Sequence, residues 1–209
     1  MDPTFLITAF VTLFVIIDPV GMTPLFVALT QGMDTARRRA IALRACITAA
    51  LILIVFAAFG EAVLGFVGIS MPAFRIAGGI LLFLTALDML FERRTKRRQG
   101  QADEAEEDDD SDDPSVFPLA IPLIAGPGAI ATMILLTGQD GGDITHVLLI
   151  HLVMALVLAV VLTLFLLATP LERLLGPTGI NVVTRLLGML LAALSVQFVI
   201  DGMRDLQVI

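Results

Sequence analysis

Apolar residues fill six long blocks of this chain, and most charged residues lie in the stretches between them. Each block approaches the ~20 residues that a helix needs to cross a bilayer. The pattern predicts spans over Thr4–Thr30, Ile41–Gly60, Met71–Phe91, Phe117–Gly138, Val147–Thr169 and Val182–Met203. Two of these blocks are interrupted. The first contains Ile17-Asp18-Pro19-Val20-Gly21-Met22-Thr23-Pro24-Leu25-Phe26, and the fourth contains Ile121-Pro122-Leu123-Ile124-Ala125-Gly126-Pro127-Gly128. Both carry Pro-x-x-x-x-Pro, at an offset of 103. Proline lacks an amide donor and clashes with the preceding turn, so each block predicts two half-helices with an unwound joint. Thr23 is expected to cap the second half of the first span and Pro24 to start it, with Pro127 starting the corresponding half of the fourth.

Composition raises this pattern to a fold class. Of 209 residues 57% are hydrophobic, and the mean hydropathy is +0.95. These values exclude an ordinary soluble domain and predict an all-α membrane protein whose main partner is the lipid bilayer. The formal charge of −7 misleads, because nine acids fall between Asp103 and Asp113 and the rest of the chain carries +2. That run cannot bury itself and reads as a solvated, disordered cytoplasmic loop over 96–115. It divides the chain into repeats of three helices, 1–95 and 116–209. Ten of thirteen basic residues lie in the first, third and fifth loops or just inside the next span. This bias places those loops in the cytoplasm and both termini outside. The start of the chain has no basic region or small-residue cleavage site, so the first span is expected to remain in the mature protein. Cys46 is the only cysteine, which excludes intrachain disulfides and dithiol redox chemistry.

The two halves repeat. Glu61-x-x-Leu64-Gly65-x-x-Gly68-Ile69 matches Glu172-x-x-Leu175-Gly176-x-x-Gly179-Ile180 at an offset of 111. Arg75-x-x-Gly78-x-x-Leu81-x-x-Leu84-Thr85 parallels Arg185-x-x-Gly188-x-x-Leu191-x-x-Leu194-Ser195 at an offset of 110. Three spans per half is an odd number, so the second half enters from the opposite side. The expected architecture is a 3+3 inverted repeat with helices one and four discontinuous, a pattern that points to a transporter's binding site at the joints.

Unwound backbone is tolerated at membrane depth only where it faces protein or a wet cavity. The half-helix N-termini at Gly21, Thr23, Pro24, Leu25 and Phe26, and at Gly126, Pro127, Gly128 and Ala129, offer amides and partial positive charge to a carboxylate. Carbonyls near Ile17 and Ala120 face the opposite need, a cation. Asp18 is a carboxylate at mid-membrane, expensive there and a candidate for a substrate ammonium, a sodium ion or a coupling proton. The plainer alternative is a polar plug that caps local amides. Glu61 with Arg75, and Glu172 with Arg185, are predicted ion pairs, acting as structural clasps or gates. No metal site is expected. Thr85, Ser195, Gln197 and His151 are weaker cavity candidates, since such residues more often serve helix packing.

The joints also carry a resemblance. Asp18-Pro19-x-Gly21-x-x-Pro24-x-Phe26, Phe74-Arg75-Ile76-Ala77-Gly78-Gly79-Ile80-Leu81 and the run Pro118 to Ile130 resemble motifs of the MarC family of integral membrane proteins. The similarity spans the chain except the acidic loop. It implies a place in the LysE superfamily of amino-acid and metal exporters, and transport of small neutral amino acids.

Residues and resemblance together favour an ion-coupled secondary transporter of a small zwitterion such as glycine or alanine, in a bacterial inner membrane. Nothing resembles a nucleotide-binding loop, so a sodium or proton gradient is the expected energy source, with export or import open. No cofactor, nucleic acid or enzymatic activity is expected, and a homodimer is one option for assembly. The alternatives are a metal or other cation exporter, which should need several intramembrane acids around one cavity, and a non-transporting membrane protein.

Overall fold

The apolar runs of this chain fold as helices, and the computed structural model describes residues 3–93, 98, 113–138 and 143–207. The side chains of Pro3 and Glu172 are outside that description, as is nearly all of the acidic loop. The elements are α1 (Pro3–Ile17), α2 (Pro19–Leu29), α3 (Thr35–Val67), α4 (Met71–Leu90), a wide π-type segment α5 (Ser115–Ile124), α6 (Pro127–Thr137), α7 (Ile144–Leu166) and α8 (Ala168–Asp205). All elements among the described residues are helical. Five helical stretches are long and apolar enough to cross a membrane, the first being Thr4–Leu29 across α1 and α2. A sixth arises if α5 and α6, bent by 57° against each other, form one span.

Helix ends follow caps more closely than apolarity. Asp34, Ser70 and Asp143 each accept a hydrogen bond from the backbone N–H three residues on, at 2.7, 3.3 and 3.1 Å, and start α3, α4 and α7. As a result α3 is longer than the predicted span Ile41–Gly60, since its polar first turns lie beyond the apolar run but stay hydrogen-bonded. The predicted loop before the sixth span is also helical. It is broken within α8 at Gly176, whose backbone (φ 62, ψ 174) precedes Pro177.

Large apolar side chains lie on both the inside and the outside. Leu13, Met22, Phe26, Leu53, Leu82 and Met133 are fully buried, whereas Leu51, Phe59, Phe66, Leu148, Leu174 and Met189 are exposed. An apolar exterior of this kind suits lipid, not water.

α4 and α8 pack antiparallel along their lengths. A Cβ at Gly79 would stand 2.8 Å from the Ser195 carbonyl oxygen, and one at Gly188 would stand 3.3 Å from the Ala86 carbonyl oxygen. The contact is thus close at two reciprocal places. Ion pairs close both ends: Arg75 binds Asp205, and Arg185 binds Glu92 at 2.6 Å. Arg75 thus meets Asp205 in place of the predicted Glu61, while the predicted Glu172–Arg185 pair falls on a side chain outside the described residues. The reason is the antiparallel register, which brings the end of one long helix to each arginine. Glu61 lies on an exposed face of α3. Because both pairs are partly solvated, a double-mutant cycle of Arg75→Ala and Asp205→Ala on thermal unfolding in detergent should give a coupling of only about 0.2–1 kcal/mol.

Candidate functional site

The first break is at Asp18. Its backbone is left-handed (φ 55, ψ 65), a conformation that aspartate visits more readily than most residues. Its carboxylate accepts from the Gly21 N–H at 3.1 Å, and Pro19 follows as the first helical residue. The helix therefore restarts five residues before the predicted Thr23–Pro24 joint. Asp18-Pro19 is the same cap-then-proline signal and comes first along the chain. Thr23 lies inside α2, where its hydroxyl donates to the Pro19 carbonyl at 3.1 Å, and Pro24 is also internal. Leu25 and Phe26 are buried in helix packing. The Phe26 ring stacks on Phe165 at 4.4 Å, with the Arg38 guanidinium 5.7 Å away.

Asp18 is completely buried. A charge so placed needs a partner, and Arg98 supplies it. The Arg98 guanidinium lies 3.2 Å from Asp18 Oδ2 and donates to the Ile17 carbonyl at 2.9 Å. Arg98 is itself only 5% exposed. Basic patterning assigns it to the cytoplasmic loop, and the structure instead buries it at the break. The Thr184 hydroxyl, from α8, approaches Asp18 Oδ1 at 3.5 Å. Gly21 makes room for all of this, since a Cβ there would stand 2.2 Å from Asp18 Oδ2 and 2.9 Å from Thr184 Oγ1.

The second break differs. Phe117 (φ −122, ψ 128) and Ile121 (φ −123, ψ 126) are extended because each precedes a proline, which disfavours the helical region. The backbone of α5 is wide as a result. α6 then starts at Pro127 with Gly126 as its N-cap and no side chain bonded to its first amides. This start is where the Gly126–Pro127 spacing predicts it.

A cavity of about 540 Å³ lies against this second break. Gly126, Pro127, Gly128 and Ala129 line it, together with Thr85, Asp88 and Arg98 and an apolar wall that includes Ile16, Leu81 and Leu123. The amide end of α6, a guanidinium and a carboxylate thus face one space. Arg98 joins the two breaks, because it lines the cavity and also binds Asp18. Of the predicted binding residues, those of the second joint line the cavity, and Asp18 adjoins it through Arg98. Thr23, Pro24, Leu25 and Phe26 are not among the lining residues.

Arg98, Asp88 and Thr184 were not legible as site residues. The one usable signal for Arg98 is that a buried carboxylate demands a cation. Of the weaker polar candidates, Thr85 lines the cavity and also donates to the Leu81 carbonyl, whereas Ser195 donates to Ala192 and His151 Nδ1 to Val147, each a carbonyl of its own helix. Among the described residues no cluster of three or more His, Cys, Asp or Glu side chains suits a metal ion.

These features define a polytopic helical membrane protein with a largely apolar cavity at a helix break, into which Thr85, Asp88 and Arg98 bring polar groups. A family model described as "MarC family integral membrane protein" matches residues 3–207, and the chain belongs to this family. It is similar to a UPF0056 membrane protein of Archaeoglobus fulgidus, 42% identical over 202 residues that cover 97% of this chain and 93% of that one. It is also similar to the UPF0056 membrane protein YvbG of Bacillus subtilis, 36% identical with 97% and 96% covered. The UPF0056 inner membrane protein YhgN of Escherichia coli is 36% identical, with 95% and 96% covered. No solved structure matches the chain.

Proposed function

We propose that this protein is an ion-coupled secondary transporter of a small neutral amino acid such as glycine or alanine. The observation that carries the reading is the cavity at the second break. It presents Arg98 and the uncapped α6 N-terminus beside the Asp88 carboxylate. A zwitterion needs both kinds of group within a few ångströms: N–H donors and positive charge for its carboxylate, and an anion for its ammonium. The cavity volume falls in the range of roughly 300–1,000 Å³ usual for small-molecule sites.

The halves are inverted repeats about this site, with helices one and four broken. The reciprocal pairs Arg75–Asp205 and Arg185–Glu92 support that reading, because each arginine is the repeat equivalent of the other. In an inverted-repeat transporter the halves rock about a site near the midplane. Both termini face outward from the inner membrane. No enzymatic step and no bound cofactor enters the proposal.

Uptake of labelled glycine and alanine into proteoliposomes, under imposed sodium or proton gradients, tests it. Wild type is expected to accumulate one of them. Asp88→Asn weakens the ammonium contact, and KM should rise roughly 10–100-fold, the worth of a charged hydrogen bond. Absence of gradient-driven uptake of either amino acid would overturn the reading.

A further inference from the structure

At the first break the main chain and one side chain leave oxygens aimed at a positive charge. The Gly21 N–H, which in a continuous helix would bond the Ile17 carbonyl, is taken by the Asp18 carboxylate. The Ile17 carbonyl is therefore left at the C-terminal end of α1, where helix dipoles concentrate partial negative charge. Beside it stand the Asp18 carboxylate and the Thr184 hydroxyl. A carboxylate, a carbonyl and a hydroxyl are hard oxygen donors converging from two helices. A proton would use only one of them, whereas an alkali cation uses them together. What occupies the place now is the Arg98 guanidinium, 2.9 Å from the carbonyl and 3.2 Å from the carboxylate.

We propose that Asp18, the Ile17 carbonyl and Thr184 form a sodium-ion site, that Arg98 is its tethered occupant in this conformation, and that sodium displaces Arg98. The displaced guanidinium remains at the wall of the cavity it already lines. There it gains a free valence for the substrate carboxylate. Ion and substrate then bind cooperatively, because each favours the state in which Arg98 has left Asp18. This coupling rests on the transport reading above; the ion site itself does not.

Sodium binding to the purified full chain in detergent, followed by isothermal titration and by sodium-dependent thermal unfolding, separates the two. In wild type, binding should be weak and should tighten when glycine is present. An internal cation resident about 99% of the time weakens apparent affinity about 100-fold. Arg98→Gln and Arg98→Ala should restore a factor of that order, with a melting temperature that rises with sodium. Arg98→Lys keeps a tethered cation and should behave as wild type. Asp18→Asn in the Arg98→Gln background should abolish the gain. If Arg98→Ala does not fold, Arg98→Gln carries the test. Sodium affinity in Arg98→Gln no greater than in the double variant overturns the proposal, and so does proton uptake in place of sodium binding. Uptake failing while sodium binds in this pattern would refute the amino-acid reading alone.

Discussion

Asp18→Leu is expected to be among the most damaging single changes in the chain. It leaves the Arg98 guanidinium buried without the Asp18 carboxylate, and it removes the cap of α2. Breaking one side of a buried ion pair costs about 3–5 kcal/mol, since the stranded charge keeps its desolvation penalty. The cap adds about 0.5–2 kcal/mol. Replacing both residues, Asp18→Leu with Arg98→Leu, should recover much of the loss, because both members of this pair are then removed together. Chemical denaturation in detergent micelles measures all three variants. A cost for Asp18→Leu below about 1 kcal/mol would mean that the pair is not buried as the structure has it.

Gly21→Ala adds one carbon and should nevertheless disable the first break. The new Cβ would lie 2.2 Å from Asp18 Oδ2 and 2.8 Å from its Cγ. A carboxylate cannot share that space, so it must leave both its cap position and Thr184. Overpacking of this kind costs about 1–3 kcal/mol, and the uptake proposed above is expected to be lost with it. Gly65→Ala is the matched control. Gly65 is also a helical glycine, in α3, but has nothing within 4 Å of the position a Cβ would take. Alanine there should stabilise by roughly 0.5–1 kcal/mol through helix propensity. Melting temperatures that fall equally in both variants would show that the Asp18 pocket is not the cause.

Local signals are legible in the chain's pattern. Gly126-Pro127 marks the start of α6, because proline suits the first helical position and nothing upstream competes. The first break is ambiguous in the sequence, since Asp18-Pro19 and Thr23-Pro24 are both valid cap-and-proline signals within one turn and a half. The earlier one captured the helix, and Thr23 turned its hydroxyl to its own backbone. Charge patterning speaks only to an expected side of the membrane. It treats the basic run after α4 as one group and carries no mark of Arg98, whose burial depends on a carboxylate eighty residues away.

The sequence by itself determined that this chain is a helical membrane protein, roughly where its spans lie, and that two of its apolar blocks are interrupted by prolines. Those properties follow from hydropathy, helix periodicity and the missing amide of proline, all of which act over a few turns. Tertiary structure alone decided that Arg75 meets Asp205 and not Glu61, that Arg98 enters the core, and that Asp88 faces the second break. Each of these depends on which helices lie side by side, and a partner brought near by packing carries no mark in the residues that surround it in the chain.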